Sequence, residues 1–379
     1  MRRLWIVLAT LVVATGLLAA PAAAGDPPIT LPSSPDGLES PVTLPSGVDP
    51  VSPYLPQVSC SPSDMAGVLK LRDLVLATYG VGRSGGISHG CTEGLSEHSE
   101  GRAWDWMVDV DTKKERAAAA DFLAWVTRDD GRNARRLGIM YVIYDEKIWG
   151  VYNTKGGWRP SRDHRDHVHV SFSWNGARGN VSFWTGRVGT IDHGPCVLFT
   201  GTYAARTSTP RSTPCGDPAK VLVKTRFGQR AYGRTGGTVR TGQRLLGVKV
   251  TGRFDAATWT AVRRYQRAHD LPPTGVLDQP TWASLSPGDV TSRVVGGHTR
   301  RTATTYGIEH YASSTIGRGR AGKPVAVLQA ALGMPRADRN GYYGAVTLAA
   351  VKKVQGAAGL SRDGIVRAEE WQALRSQLG

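Results

Sequence analysis

Two stretches with alternating side chains decide the fold of the amino-terminal half: SEHSEGRAWDWMVDV at residues 96–110 and DHVHVSFSW at residues 166–174. Side chains of a β-strand point alternately to its two faces. In the first stretch this alternation puts Asp105 on one face and the tryptophans Trp104 and Trp106 on the other. The stretch therefore predicts a strand that buries an apolar face and presents a carboxylate on the opposite face.

The second stretch predicts a strand of the same kind. His167 and His169 fall on one face, and Val168 and its apolar neighbours fall on the other. These two imidazoles, the carboxylate of Asp105 and a third imidazole from His98 form a set of nitrogen and oxygen ligands that suits zinc. Three such ligands leave the fourth position of the metal open to water, which is typical of catalytic zinc sites.

The elements around these stretches indicate an α+β domain with an antiparallel sheet. Apolar periodicity predicts helices at 65–79 and 113–127. Runs of β-branched and aromatic residues predict strands at 139–144, 148–152 and 168–174. Helices grouped before a hairpin-rich sheet argue against a doubly wound fold.

The first residues predict export. A positive start, an apolar run at 4–18 and the small residues at 22–24 indicate a secretory signal over residues 1–24 that is removed. The alternative is a retained membrane anchor, but a membrane span needs about 20 apolar residues and this run is shorter. Residues 25–58 contain nine prolines and predict a semi-extended linker.

Four cysteines in an exported chain predict two disulfides, for which three pairings exist. We favour Cys60 with Cys91 and Cys196 with Cys215, because each of these bonds closes a local loop. The competing interpretation, a cysteine-rich metal site, lacks the C-x-x-C spacing that such sites use.

The last third of the chain contains an internal repeat, which predicts two copies of a unit of about 55–60 residues. Asp255 is suited to cap a helix that turns Trp259 inward, with Arg263, Arg264 and Arg267 mostly on the other side. Eight positions of the first copy align with positions 89 residues later, and all are identical except Phe254, which aligns with Tyr343. They are Gly252, Phe254, Thr258, Val262, Gln266, Leu271, Gly275 and Trp282.

These signals divide the chain after its first linker into five further parts. They are an α+β domain at 59–195, a linker at 196–222, a first repeat at 223–288, a linker at 289–316 and a second repeat at 317–379.

The charge is concentrated in the carboxy-terminal half. The chain carries 47 Lys and Arg against 31 Asp and Glu, and residues 196–379 hold 27 of the former and 10 of the latter. This half has a net charge of +17, which favours attraction to a polyanion. The predicted export and the lack of interleaved aromatic and basic residues argue against a nucleic-acid partner.

Residues 96–105 fit the pattern S-x-H-x-x-G-x-A-x-D, and an H-x-H motif follows downstream. With these motifs the domain resembles the zinc D-Ala-D-Ala carboxypeptidase and endopeptidase family, whose catalytic fold is shared with lysostaphin-like and hedgehog-type domains. The resemblance spans residues 59–185, and actinobacterial secreted domains are nearest to it. It implies that His98, Asp105 and His169 are the zinc ligands.

The resemblance also implies roles for residues near these ligands. The acid/base residue of the family precedes the last ligand, and both Asp166 and His167 meet that description. Ser96 and Arg102 would be supporting residues, and Ser96 would shape the ligand loop. For Arg102 the alternative is an exposed strand residue without such a role.

Substrate placement is less clearly implied. Members of the family usually hold a substrate carboxylate with an arginine upstream of the first ligand. Here the candidates are Arg83 and, nearer to the ligand, His89, and neither lies in a recognisable motif. The choice between carboxypeptidase and endopeptidase therefore stays open.

The repeats, with GRFD at 252–255 and TW at 281–282, resemble the peptidoglycan-binding domain, a small all-α unit of three helices. Together the resemblances imply a secreted, wall-associated zinc peptidase that cuts the stem peptides of peptidoglycan. Its partners would be peptidoglycan and anionic wall polymers, and its oligomeric state is undetermined. The alternative is a non-catalytic wall-binding protein with a degenerate peptidase-like domain.

Overall fold

A computed structural model describes residues 37–92, 94–293 and 298–378. The predicted signal, residues 1–24, and the first part of the predicted linker lie outside the described residues. Within the described ranges, every helix is too short or too polar to cross a membrane.

The amino-terminal domain combines helices with one six-stranded sheet. Its helices are α1 (Ala66–Tyr79), α2 (Lys113–Leu137), α3 (Trp174–Arg178) and α4 (Ser182–Thr185). Its strands are β1 (Arg83–Gly86), β2 (Ala103–Met107), β3 (Ile139–Tyr144), β4 (Lys147–Gly150), β5 (Arg159–Pro160) and β6 (Val168–Phe172). The strand order is β1-β2-β6-β3-β4-β5, and every neighbouring pair is antiparallel. This confirms the prediction of a mixed domain with an antiparallel sheet.

Three boundaries differ from the predicted ones for local reasons. The strand predicted at 148–152 ends at Gly150, because residues Val151–Gly156 form a 3-10 helix. The helix predicted at 113–127 extends to Leu137, after an interruption at residues 128–131, where the backbone is not helical. The last strand ends at Phe172, because the hydroxyl of Ser173 accepts a hydrogen bond from the backbone N–H of Gly176 and caps α3.

The apolar face of the sheet forms the core against α1 and α2. Trp104 and Trp106 are completely buried, and Phe122 of α2 meets the Trp106 ring edge-on at 5.9 Å between centroids. Val168 and Val170 of the neighbouring strand lie in the same core. The opposite face of β2 and β6 is thereby free to carry polar side chains.

Residues 37–58, predicted as part of a linker, contain no helix or strand but pack along the domain; we call them the strap. Leu38 and Leu55 join the core, and the buried Asp49 carboxylate accepts a hydrogen bond from the backbone N–H of Ser182 at 3.1 Å. The many prolines predicted a semi-extended segment, and residues 37–58 contain no helix or strand. The prolines did not predict the packing, which depends on a few apolar and acidic residues spread along the segment.

Both favoured disulfides are present, Cys60–Cys91 and Cys196–Cys215. The second lies in the predicted linker 196–222, which is also packed against the domain rather than free. The backbone N–H of Ala204 donates to the carbonyl of Val58 at 2.7 Å, and Ala204 is buried.

The carboxy-terminal region is helical. Its helices are α5 (Gly237–Leu245), α6 (Ala256–Ala268), α7 (Gln279–Leu285), α8 (Arg300–Tyr311), α9 (Lys323–Ala331), α10 (Ala345–Ala357) and α11 (Ala368–Ser376). A two-stranded antiparallel sheet joins β7 (Val223–Thr225) to β8 (Val290–Arg293). Each predicted repeat contains three helices, α5–α7 in the first and α9–α11 in the second.

Helix α8 corrects the prediction that 289–316 is a linker. Ala303 of α8 is buried in the core of the second repeat, and Gly307 lies against the ring of Trp371. The helix turns small residues towards that core, so its sequence shows little of the apolar periodicity by which helices are predicted.

A buried glutamine recurs four times in the repeats and explains part of their shared sequence. In each case the side-chain carbonyl accepts a hydrogen bond from a glycine N–H at 2.9 Å, and the side-chain amide donates to three oxygens nearby. A buried polar group without partners costs about 1–3 kcal/mol, so the glutamine and its partners must recur together. The pairs are Gln243–Gly252, Gln266–Gly275, Gln329–Gly341 and Gln355–Gly364.

The two repeats are joined by a helix cap supplied across their interface. In the first repeat Asp255 caps its own helix, α6, by accepting from the backbone N–H of Thr258 at 2.8 Å. The equivalent residue of the second repeat is Gly344, which has no side chain to do this. The carboxylate of Asp270, from the first repeat, accepts hydrogen bonds from the backbone N–H groups of Val346 and Thr347 at 3.2 Å instead.

Replacement of Asp270 by glycine should loosen the second repeat although the residue lies in the first. Glycine suits the positive φ of 52° at this position and removes only the carboxylate. The loss of a helix cap costs about 1 kcal/mol. We expect several-fold faster hydrogen exchange at the amides of Val346 and Thr347, whereas Asp255→Gly should instead speed exchange at Thr258. Unchanged exchange at the start of α10 in Asp270→Gly would contradict this cap.

Candidate metal centre

Three ligand-type side chains converge on the polar face of the sheet. Asp105 of β2 lies directly opposite His169 of β6, and His98 comes from the short 3-10 helix Glu97–Glu100 that precedes β2. Asp105 Oδ1 is 2.9 Å from His169 Nδ1 and 3.2 Å from His98 Nε2, and the two nitrogens are 3.3 Å apart. The structure thus brings together the three residues that the sequence predicted as ligands.

Each of the two histidines has an inner ring nitrogen, which faces the cluster, and an outer one, which faces away from it. The outer nitrogen has a partner that orients the ring. His98 Nδ1 donates to the carbonyl of Ile87 at 2.7 Å, and His169 Nε2 lies 2.9 Å from the hydroxyl of Ser171. If both outer nitrogens carry the protons, two nitrogen lone pairs and a carboxylate oxygen are available to a metal ion, and this donor set fits zinc.

The electrostatics of the cluster favour an ionised carboxylate. Burial opposes ionisation of Asp105, but hydrogen bonds from His169 and His98 lower its pKa far below the usual value. Burial also opposes protonation of His98, yet the hydrogen bond and the charge of Asp105 raise the pKa of this imidazole. For His169, the effect of burial outweighs that of the hydrogen bond with Asp105, and the pKa of this imidazole is lowered. The carboxylate is therefore available as a ligand, and His169 favours the neutral form that binds metals.

The two predicted acid/base residues adjoin the cluster as a pair. His167 Nδ1 is 2.7 Å from a carboxylate oxygen of Asp166, and His167 Nε2 is 3.7 Å from Asp105 Oδ1. The Asp166 side chain is 66% exposed, whereas that of His167 is 19% exposed. The hydrogen bond from His167 lowers the pKa of Asp166, so this residue remains an acceptor. His167 is the one of the two that faces the cluster.

Three neighbours of the cluster were missed by the sequence analysis. The His164 ring lies 4.8 Å from that of His167 and 5.6 Å from that of His169, and the Tyr141 ring stacks on His169 at 5.7 Å. Burial and the nearby carboxylate of buried Glu97 raise the pKa of Tyr141. The spacing H-x-x-H-x-H at 164–169 was a usable signal for His164, but Tyr141 depends on the pairing of β3 with β6, which alternation does not reveal.

Arg102 is a buried structural residue, so the alternative of an exposed strand residue is wrong. Its side chain is completely buried, with Nε 2.5 Å from a Glu100 carboxylate oxygen and Nη groups donating to the carbonyls of Phe172 and Leu55. The other oxygen of Glu100 accepts from the backbone N–H of Ser59 at 2.8 Å. This ion pair ties the ligand loop to β6 and to the strap.

The remaining predicted residues lie around the ligand loop. The Ser96 hydroxyl is 3.2 Å from Nε2 of His89, and the His89 ring stacks on His98 at 5.1 Å. Arg83 lies opposite Met107 in the pairing of β1 with β2. Because residues directly opposite share a face, Arg83 lies on the same face of the sheet as Asp105.

The first repeat contacts the disulfide that anchors this loop. The backbone N–H of Cys91 donates to the carbonyl of Tyr232 at 2.9 Å, and Trp259 Nε1 donates to the carbonyl of Cys60 at 3.1 Å. Tyr232 of the helical region thus contacts Cys91, which follows His89 by two residues in the chain.

Parts of the chain match known protein families. Residues 63–170 match the family model described as VldE, C-terminal domain, and this range contains all of His98, Asp105 and His169. Residues 237–285 and 325–374 match the model described as putative peptidoglycan binding domain, which covers the three helices of each repeat. No curated protein and no solved structure matches the chain significantly.

The two matches in the repeats support binding to the cell wall, and with the two disulfides they fit a wall-associated or secreted protein. The resemblance of the first domain to zinc D-Ala-D-Ala peptidases is not confirmed by these matches and stays a prediction.

Zinc binding can be tested at the cluster itself. We expect about one zinc ion per chain, and His169→Ala should weaken zinc affinity by about 100-fold or more, because loss of even an outer partner of a ligand costs 10–100-fold. Elemental analysis and competition with a chromophoric chelator measure both quantities.

His89→Ala is the matched control, since its ring stacks on His98 but its nitrogens face Gly90 and Ser96. This variant should retain the zinc. Equal zinc binding by His169→Ala and the unmodified chain would contradict the proposed ligand set.

Proposed function

We propose that the chain is a secreted zinc-dependent peptidase that cleaves the stem peptides of peptidoglycan and is held on the wall by its two repeats. The observation that carries the proposal is the convergence of His98, Asp105 and His169 beside the pair formed by Asp166 and His167. Ligands and a proton acceptor on one open sheet face are the parts that metal-assisted hydrolysis of an amide requires.

His98, Asp105 and His169 would hold the metal through Nε2, Oδ1 and Nδ1. Zinc in such a site lowers the pKa of water towards neutrality and polarises a carbonyl group. The hydrogen bonds of His98 to Ile87 and of His169 to Ser171 would keep the ligand nitrogens aimed at the centre.

His167 is suited to act as the general base. Its Nε2 side faces the cluster, and its Nδ1–H donates to Asp166, which fixes the orientation and tautomer of the ring. Nε2 would accept a proton from the attacking water and return it to the leaving amine. Asp166 would be a positioning residue, since its exposed carboxylate is hydrogen-bonded to His167 and acts through that ring.

Substrate placement would use the same face of the sheet. Arg83 lies along β1 on the side of Asp105 and offers a cation for the terminal carboxylate of a stem peptide. The repeats would keep the enzyme on the wall polymer, so that stem peptides are met at high local concentration.

The test is digestion of purified peptidoglycan and of a synthetic pentapeptide ending in D-Ala-D-Ala, with products identified by mass spectrometry. The zinc-loaded protein should release D-alanine or split cross-linked dimers, and the product masses name the bond. His167→Ala should lower kcat by about 10²–10⁴-fold while zinc stays bound. Asp166→Asn should lower kcat less and leave KM unchanged.

His310→Ala, which removes an exposed imidazole from α8, is the control and should keep most of the activity. If the zinc-loaded chain binds peptidoglycan but releases no product from either substrate, the proposal fails and the non-catalytic wall-binding function takes its place.

A further inference from the structure

A groove lined by five arginines lies between the first repeat and the amino-terminal half; we call it the basic groove. Its arginines come from three parts of the chain: α3, the segment after Cys196, and α6. They are Arg178, Arg206, Arg211, Arg263 and Arg267. No carboxylate lines the groove among the described residues.

Only one of these arginines has an acidic partner in the described part of the chain. Arg178 pairs with the buried Asp192 at 2.9 Å. Arg206 instead donates to the hydroxyl of Ser61 at 2.8 Å, and Arg263 donates to the carbonyl of Pro273 at 3.3 Å. Neutral oxygens satisfy the hydrogen bonds of these groups but leave their charges uncompensated.

The remaining arginines increase this excess of positive charge. Nε of Arg211 is buried and has no hydrogen-bond partner in the described ranges. Burial and neighbouring arginines lower the pKa of both Arg206 and Arg263. Arg263 and Arg267 stand one helical turn apart on α6, where like charges repel. The groove is thus electrostatically unfavourable until an anion enters it.

We propose that the basic groove binds a polyol chain linked by phosphodiesters, the chemistry of an anionic cell-wall polymer. Arginine side chains match phosphate oxygens in pairs of hydrogen bonds. Arg263 and Arg267 are about 6 Å apart along the helix axis, which suits successive phosphates of an extended chain. The hydroxyls of Thr207, Ser208 and Thr209 line the same groove and can bond to polyol hydroxyls.

The groove is poorly suited to a nucleic acid. Single strands are held by stacking of bases on aromatic side chains as well as by charge. The one aromatic ring among the described lining residues is Trp259. Its face is covered by the guanidinium of Arg263 at 4.4 Å from the ring centroid, and its Nε1 donates to Cys60.

The experiment measures binding of a synthetic poly(glycerol phosphate) oligomer to the full chain by calorimetry at several salt concentrations. The double variant Arg263→Gln/Arg267→Gln should bind at least ten-fold more weakly. Its slope of log affinity against log salt should fall by about 1–2, because each phosphate contact contributes nearly one unit. The control Arg244→Gln/Arg264→Gln removes the same charge from exposed positions of the first repeat and should change affinity less than two-fold.

A second probe decides whether the polyol chain is the preferred ligand. A single-stranded oligodeoxynucleotide with the same number of phosphates should bind at least ten-fold more weakly than the polyol chain. Equal affinity for the two probes, or equal losses in the two double variants, would overturn the proposal.

The proposal does not depend on the metal centre, with which the groove shares no residue. The variant His169→Ala should therefore bind the oligomer as the unmodified chain does. Loss of peptidase activity and loss of oligomer binding can thus be distinguished. A cooperative thermal transition in each variant shows that it has folded.

Discussion

The register between β2 and β6 is the constraint on which the candidate metal centre depends. It sets Asp105 opposite His169 and, one residue along, Trp104 opposite Val170 and Trp106 opposite Val168. A slip of one residue would turn the carboxylate into the core and the tryptophans into solvent. Each large apolar side chain gains about 1.5–3 kcal/mol from burial, so the buried face fixes the pairing that aligns the ligands on the other face.

The sequence predicted the placement of Asp105 and His169 on one face of the sheet, because that information is local. Alternation within two short strands assigned the faces, and both Asp105 and His169 lie on the face expected for them. The roles of Arg102 and Tyr141 could not be read in the same way. Arg102 is buried because its partners include Leu55, 47 positions earlier, and Phe172, 70 positions later. Contacts at such separations exist only once the chain has folded.

The repeats show the same division between local and distant information. The recurring Gln and Gly were visible as a sequence pattern, and the buried hydrogen bonds between them give its physical reason. The cap that Asp270 supplies to α10 was not visible, because the second repeat has Gly344 at the equivalent position and borrows a carboxylate from the first. The two wall-binding units are consequently coupled, and the first also contacts the disulfide Cys60–Cys91 beside the ligand loop.

Zinc K-edge X-ray absorption of the metal-loaded protein shows whether His98, Asp105 and His169 hold one zinc ion, as we propose. We expect two imidazole nitrogens at about 2.0–2.1 Å and oxygen ligands at about 2.0–2.2 Å, with one imidazole contribution lost in His98→Ala. A spectrum without imidazole scattering, or one unchanged in His98→Ala, would rule out this ligand set.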